Sequence, residues 1–253
     1  MKLNYKEFGQ GEPIVILHGL FGTSDNWQTL AKQLAKNYTV FIIDQRNHGR
    51  SPHDDEFNYQ VMAHDLKEFL EQNWIYKARI IGHSMGGKTA MQFASSYPDM
   101  VEKLVIVDIA NSKYKGGHET IFDALMNLEL DKIENRKDAD EFLKNKIEEF
   151  GVRQFLLKNL TRNKEGGYEW KMNLPVIYKN YEAILNEIEV EEQYEGATLF
   201  VKGGLSKYID EENFNTTQQV FPNAVLKTIN NVGHWVHAEA PKELLQLLNV
   251  FLK

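Results

Sequence analysis

The sequence predicts an α/β fold with a mostly parallel central sheet, helices on both faces of the sheet, and an inserted helical cap. Short apolar runs, typical of strands buried on both faces, alternate with stretches whose apolar residues recur at helical spacing. Such alternation indicates parallel strands joined by crossover helices. The alternation breaks at Asn111 and resumes at Ala197, and the segment between them is highly charged and helical in pattern.

The core elements follow in regular order. The first eleven residues predict an edge strand and a turn, and a capping signal at Ser24 begins a helix that runs to about residue 36. Further helices are predicted at residues 59–74, after Ser84, and at residues 241–253. Buried strands are predicted at residues 13–17, 39–43, 78–82, 103–107, 197–201 and 224–229.

The break in the alternation defines the domain organisation. Residues 112–195 carry apolar stripes at helical spacing and no pattern typical of a strand, so they are predicted to form the cap. Residues 1–111 and 196–253 are predicted to form one core domain, since the strand and helix pattern resumes after the insertion.

Composition limits the classes of function. The 253 residues are 42% hydrophobic, enough for a large core, and the net charge of -7 argues against nucleic acid or an anionic membrane as partner. The absence of cysteine excludes disulfides, thiol catalysis and thiolate metal ligands. The N-terminus has no signal-peptide pattern and no apolar run is long enough to span a bilayer. We therefore expect a soluble, cytoplasmic protein that acts on small molecules.

The stretch from Ala78 to Ala90 has the form of a nucleophile elbow. The chain must leave a strand at Ser84, turn sharply and enter a helix, which predicts a strained backbone and an exposed hydroxyl. Gly82 and Gly86 occupy positions that are expected to require glycine, because a Cβ atom at either position would collide across the turn. Ser84 is therefore the predicted nucleophile.

A serine nucleophile needs a base and an oxyanion hole. His234 follows the last predicted strand, where a loop can present its ring to the sheet edge that carries Ser84, whereas His64 and His237 are interpreted as solvated or structural. The backbone N–H groups of Met85 and Leu20 are the expected oxyanion donors. The ring of His18 is expected to brace the loop of Leu20, and no metal site is predicted, because nothing beside His18 has metal-ligand spacing.

The sequence resembles the α/β-hydrolase superfamily and, within it, the YbfF-like bacterial esterases. The matching residues are the elbow and residues 17–22, 26–27, 44–51, 107–110, 203–206 and 233–237. The resemblance implies a structural loop in which Asp44 and Arg46 brace one another. It also implies that short to medium acyl esters are the substrates, that acyl-CoA thioesters are a further class, and that no cofactor is needed.

The acid of the triad departs from the commonest pattern of this fold. The loop after the strand at residues 197–201 carries Ser206 where an aspartate is expected, and Asp210 lies four residues too late. The resemblance implies that the acid is Asp108, at the end of the preceding strand, and that Ser206 adds a second hydrogen bond to the histidine. A carboxylate at Asp108 would fix the tautomer of His234.

The predicted function is a serine carboxylic-ester hydrolase that works through an acyl-enzyme. Carbon–carbon bond hydrolases, cofactorless haloperoxidases and menaquinone-pathway lyases also keep the serine and stay open as alternatives, as does a hydrolase-like ligand sensor. A lid inserted after Asp108 must lie above Ser84, so it is expected to set the acyl-chain preference. Some of five candidate cap side chains are expected to line the acyl pocket: Phe122, Met126, Phe155, Trp170 and Tyr178.

Overall fold

Within residues 1–190 and 192–253, which the computed structural model describes, seven strands form the central sheet. They are β1 (Tyr5–Phe8), β2 (Glu12–Leu17), β3 (Tyr38–Ile43), β4 (Ala78–His83), β5 (Val101–Val107), β8 (Thr198–Gly203) and β9 (Ala224–Ile229). Their order across the sheet is β1-β3-β2-β4-β5-β8-β9. Only β1 runs antiparallel to its neighbour, so the predicted mostly parallel sheet with an edge strand at the N-terminus is confirmed.

Helices cover both faces of the sheet. The core helices are α1 (Gln28–Leu34), α2 (Tyr59–Gln72), α3 (Met85–Ser96), α9 (Glu211–Gln218), α10 (Val236–Glu239) and α11 (Pro241–Phe251). Successive strand residues point to opposite faces, as a pleated strand requires: Ile80 packs in one core cluster and Ile81 in the other. Helices α2 and α3 pack together on one face, and α1 and α11 pack together on the other.

The segment between β5 and β8 is mainly helical. It contains α4 (Glu119–Met126), α5 (Arg136–Lys144), α6 (Phe150–Leu157), α7 (Leu174–Lys179) and α8 (Tyr181–Leu185). It also contains an antiparallel hairpin of β6 (Leu160–Arg162) and β7 (Tyr168–Trp170), which corrects the expectation that this segment has no strand. Each hairpin strand has three residues, too few for a two-residue period to be visible in the sequence.

The N-terminal region of the predicted first helix differs from the expectation in one detail. Residues Ser24–Trp27 form a 3-10 turn that precedes α1, and α1 ends at Leu34. Among the helices of the described residues, none combines the length and the apolar character needed to cross a membrane.

Candidate active site

Four adjacent strands deliver the predicted polar residues to one edge of the sheet. Ser84 follows β4, Asp108 follows β5, Ser206 lies in the loop after β8, and His234 lies in the loop after β9. These strands are consecutive neighbours in the order β4-β5-β8-β9 and run parallel. Their carboxyl ends therefore meet, which is where open parallel sheets of this class bind ligands.

The elbow has the strained geometry that its sequence predicts. Ser84 has φ 53° and ψ -121°, a backbone conformation that residues other than glycine rarely adopt. Its N–H donates to the carbonyl of Val107 at 3.0 Å. A Cβ atom on Gly82 would lie 2.2 Å from the carbonyl oxygen of Gly86. A Cβ atom on Gly86 would lie 2.5 Å from the carbonyl oxygen of Leu17 in β2, so both glycines are required by close backbone approach.

The hydroxyl, imidazole and carboxylate form a continuous hydrogen-bonded chain. The Oγ atom of Ser84 lies 3.0 Å from Nε2 of His234, and Nδ1 of His234 lies 2.7 Å from Oδ2 of Asp108. Because a carboxylate can only accept, Nδ1 carries the proton and Nε2 is the acceptor for the Ser84 hydroxyl. Asp108 is fully buried and also accepts the N–H of Gly203 at 2.8 Å.

Ser206 contacts the carboxylate and not the histidine. Its hydroxyl donates to Oδ2 of Asp108, the same oxygen that accepts from His234. This corrects the expectation that Ser206 bonds directly to the histidine ring. Asp210 caps α9 by accepting the N–H of Asn213 at 2.8 Å, so it stabilises the N-terminus of that helix.

Leu20 and Met85 stay the predicted backbone donors of the oxyanion hole. Leu20 and Ser84 line the same two clefts, and no acceptor for the Leu20 N–H is present in the described part of the chain. Met85 occupies the first position of α3, where an N–H has no partner within its own helix. This pair of donors is the arrangement that an oxyanion hole requires.

Three buried side chains hold the Leu20 loop. His18 donates from Nδ1 to the carbonyl of Gly19 at 2.8 Å, and its Nε2 accepts the N–H of Gln45 at 3.1 Å, as expected of a bracing residue. Nε2 of His48 accepts the N–H of Phe21 at 3.3 Å. From the cap, Nδ2 of Asn159 donates to the carbonyl of Phe21 at 2.7 Å.

Asp44 and Arg46 do not brace one another, contrary to the expectation. Asp44 accepts backbone N–H groups from Ser24 at 2.6 Å and from Arg50 at 3.0 Å. The guanidinium of Arg46 is turned to Asp65 in α2, with distances of 2.5 and 2.9 Å from Nε and Nη2 to the two carboxylate oxygens. Both side chains therefore stabilise the loop, but through separate partners.

Sequence reasoning missed the groups that support His234. Nε2 of His83 donates to the carbonyl of His234 at 2.9 Å, and burial lowers the pKa of His83 well below its ordinary value, so the ring stays neutral. The ring of Tyr208 stacks on the His234 ring at 4.1 Å. Glu239 accepts the N–H of Gly233 at 2.7 Å and of Trp235 at 3.2 Å. The position of His83 next to the nucleophile was the one available signal, because the other contacts join distant segments.

His237 packs against a core ring and also lines one of the clefts beside Ser84, and its structural role stays a prediction. Its ring stacks on the buried ring of Trp27 at 4.6 Å, and burial lowers its pKa to about 3.

Two clefts meet at Ser84. The first, which we call the α6 cleft, is lined by His234, Trp235 and cap residues of α4 and α6. The second, which we call the tyrosine cleft, is lined by Tyr59, Tyr114, Tyr181 and Tyr208 together with Met85. Leu20, Ser84 and His118 line both clefts, so the reacting centre lies at their junction.

Of the five predicted cap side chains, one lines a cleft. Phe155, on α6, lines the α6 cleft and contacts the ring of Trp235 at 5.8 Å. The other four do not line either cleft, which corrects the prediction for them: Phe122 is buried against Phe21 and Tyr181, Trp170 is half-buried in the hairpin, and Met126 and Tyr178 are exposed. Helical spacing identifies apolar faces, and most of these faces pack inside the cap.

The chain matches a known family over most of its length. A family model described as the alpha/beta hydrolase fold matches residues 12–241. Esterase YbfF of Escherichia coli (strain K12) is 37% identical over 258 residues, which cover 100% of this chain and 99% of that protein. The sn-1-specific diacylglycerol lipase ABHD11 of Mus musculus is 38% identical over 247 residues, which cover 94% of this chain and 80% of that protein.

A solved structure agrees with these relatives. The structure of a marine microorganism esterase superposes with a TM-score of 0.97 at 41% identity, and the match covers 99% of each chain.

Proposed function

The chain belongs to the α/β-hydrolase family, and from that premise we propose that it cleaves acyl esters through an acyl-enzyme formed on Ser84. It is a carboxylesterase-type hydrolase of the YbfF-like kind, as the sequence motifs predict. The observation that carries the mechanism is the chain of hydrogen bonds from Ser84 Oγ to His234 Nε2 at 3.0 Å and from His234 Nδ1 to Asp108 at 2.7 Å.

Acylation begins when the Ser84 hydroxyl gives its proton to Nε2 of His234. The Oγ atom bonds to the acyl carbon, and the carbonyl oxygen becomes an oxyanion that accepts the N–H groups of Leu20 and Met85. When the tetrahedral intermediate collapses, the bond to the alcohol breaks and the Nε2 proton passes to the leaving oxygen. The products of this step are the free alcohol and an acyl ester on Ser84.

Deacylation repeats these steps with water. Nε2 of His234 takes a proton from water, the water oxygen attacks the acyl carbon, and the bond to Ser84 Oγ breaks. The proton returns from Nε2 to Oγ, which releases the carboxylic acid and restores the enzyme. The imidazole is thus base and acid in turn, and no group beyond these residues and water is needed.

Asp108 and Ser206 act through the histidine in this scheme. Asp108 holds the tautomer with the proton on Nδ1 and stabilises the imidazolium formed during attack. Ser206 donates to the same carboxylate oxygen, and full burial keeps water from competing for it. We assign both as positioning residues.

The proposed substrates are esters of short to medium acyl chains, with acyl-CoA thioesters as a second class. One relative is named an esterase and another a diacylglycerol lipase, which supports an ester substrate. The two clefts that meet at Ser84 offer a separate place for each half of the ester.

The Ser84→Ala variant tests the proposal. It should fold and lose p-nitrophenyl acetate hydrolysis by roughly 10⁴-fold or more, because the nucleophile acts as one unit with its base. Ser112→Ala is the matched control, since its serine lies outside both clefts. Retained activity in Ser84→Ala would refute the serine mechanism. Absence of turnover by the unmodified enzyme across a broad ester and thioester panel would instead favour the ligand-sensor alternative.

A further inference from the structure

We propose that the acyl group of the substrate occupies the tyrosine cleft and that the alcohol occupies the α6 cleft, so that different cap residues select the two halves of the ester. This assignment rests on the proposed function, since it starts from the proton transfers of an acyl-enzyme mechanism. It specifies that the acyl half is an unsubstituted aliphatic chain.

The position of His234 fixes the side of the alcohol. The leaving oxygen must receive its proton from Nε2 of His234, so it must lie within hydrogen-bond reach of that atom. His234 and Trp235 line the α6 cleft and do not line the tyrosine cleft. An alcohol that leaves from beside His234 therefore extends into the α6 cleft.

The oxyanion donors then leave one direction for the acyl chain. The carbonyl oxygen must point to the N–H groups of Leu20 and Met85. Leu20 lines both clefts, whereas Met85 lines only the tyrosine cleft. With the oxygen on these donors and the alcohol toward His234, the third substituent of the carbonyl carbon extends into the tyrosine cleft.

The chemistry of the tyrosine cleft indicates the kind of acyl group. The Tyr59 hydroxyl donates to the carbonyl of Ile184 at 2.6 Å, and the Tyr114 hydroxyl donates to the carbonyl of Tyr208 at 2.6 Å. The Lys88 ammonium donates to the carbonyls of Ser112, Leu185 and Asn186 at 2.7, 3.3 and 2.5 Å. These donors are already used, and the other lysine of the lining, Lys115, is exposed, so the buried wall of the cleft presents mainly ring faces and alkyl groups to the chain.

A charged or hydroxylated acyl group would lose its hydration in such a cleft without gaining partners, which is costly. An aliphatic chain loses only contact with water, which favours its binding. The wall of the α6 cleft is also apolar away from the reacting centre, through Ile121, Val152, Phe155 and Leu156. The substrate that fits both clefts is therefore an ester of an aliphatic acid with an alcohol whose first atoms are apolar.

Two sets of variants test which half of the ester each cleft binds. Gly117→Phe and Ile184→Phe add bulk to the tyrosine cleft, and a Cβ atom on Gly117 meets no atom within 4 Å, so the side chain can be added without a backbone clash. Val152→Trp adds bulk to the α6 cleft. The matched controls are Gly151→Phe, where a Cβ atom also meets open space, and Val250→Trp at an exposed position of α11; neither residue lines either cleft.

Two ratios of kcat/KM are measured for each variant. The acyl ratio compares p-nitrophenyl octanoate with p-nitrophenyl acetate, and the alcohol ratio compares octyl butyrate with methyl butyrate. We expect Gly117→Phe and Ile184→Phe to lower the acyl ratio by about tenfold or more and to leave the alcohol ratio within about twofold. Val152→Trp should do the reverse, and both controls should match the unmodified enzyme.

The assignment would be overturned by any of three results: the two effects are reversed, the same ratio changes in both sets of variants, or neither ratio changes. Such a result leaves the serine mechanism standing, because every ratio requires turnover. Failure of the unmodified enzyme to hydrolyse any of the four esters would instead refute the proposed function.

Discussion

Asp108 is the residue on which the geometry of the imidazole depends. It has a positive φ of 53° at the end of β5, is fully buried, and makes contacts with the loops after β8 and β9. We expect Asp108→Asn to lower kcat by roughly 10⁴-fold, because an amide can donate to Nδ1 and thereby favour the wrong tautomer. The measurement is kcat for p-nitrophenyl acetate.

Two neighbouring variants serve as comparisons. Asp210→Asn should have little effect on kcat, because Asp210 caps α9 and does not contact His234. Ser206→Ala should have an intermediate effect, because it removes one of the donors to the Asp108 carboxylate. A loss of kcat in Asp210→Asn larger than that in Asp108→Asn would show that the acid is assigned wrongly.

At the residue scale, local patterns predict local geometry. The strain at Ser84 and the roles of Gly82 and Gly86 follow from a few adjacent residues, and the structure confirms them. The partner of Arg46 could not be predicted, because Asp65 is 19 residues away on another element. The same holds for the ring of Tyr208 on His234, a contact that depends on how two loops meet.

At the element scale, α3 connects the nucleophile to the cap. Lys88 lies one turn after Ser84, and its ammonium donates to carbonyls at both chain connections of the cap: Ser112 on the way in and Asn186 on the way out. Further along the same helix, Gln92 donates to the carbonyl of Glu189 at 2.7 Å and Ser95 to that of Glu192 at 2.9 Å. Side chains on one face of α3 thus bind backbone carbonyls of the segment that leads from the cap back to the core.

Lys88→Met should lower the free energy of unfolding by about 2–4 kcal/mol, since it leaves several buried carbonyls without a donor. The ammonium is also 4.7 Å from the centre of the Tyr114 ring, a contact that methionine cannot replace. Urea denaturation measures the change. Lys67→Met, which removes a surface lysine paired with Glu71, is the control and should change stability much less. Equal effects of the two variants would contradict this role of Lys88.

Strand boundaries in the core were predictable to within about two residues because most of the parallel strands contain a short apolar run. The prediction of residues 224–229 coincides with β9, and that of residues 59–74 with α2 to within two residues. The division of the chain into a core domain and a cap at residues 112–195 stays a prediction. Its test is whether residues 1–111 and 196–253, joined by a short linker, unfold cooperatively without the cap.

At the scale of the whole molecule, buried neutral histidines link stability to pH. Burial lowers the pKa of His18, lowers those of His48 and His237 to about 3 and that of His118 to about 4, and holds that of His83 well below its ordinary value. The unfolded chain binds protons on these rings below about pH 6.5, whereas the folded chain does not. Stability is therefore fully present above that pH and is lost as the pH falls toward the folded pKa values.

We expect the free energy of unfolding to fall between pH 6.5 and 5, with each of these rings contributing up to about 1.4 kcal/mol per pH unit. His237→Gln should reduce the slope, because it removes one of the rings that bind a proton in the unfolded chain and not in the folded chain. Urea denaturation at a series of pH values measures the slope. A flat profile in this range would contradict the burial of neutral imidazoles.

The most direct test of the central claim is the mass of the intact protein during turnover. When hydrolysis of p-nitrophenyl butyrate is quenched with acid, we expect the protein mass to increase by one butyryl group, located on Ser84 by peptide mapping, and we expect no increase in Ser84→Ala. A bound butyryl group on another residue, or rapid hydrolysis that leaves Ser84 unmodified at every quench time while Ser84→Ala stays active, would contradict an acyl-enzyme on Ser84.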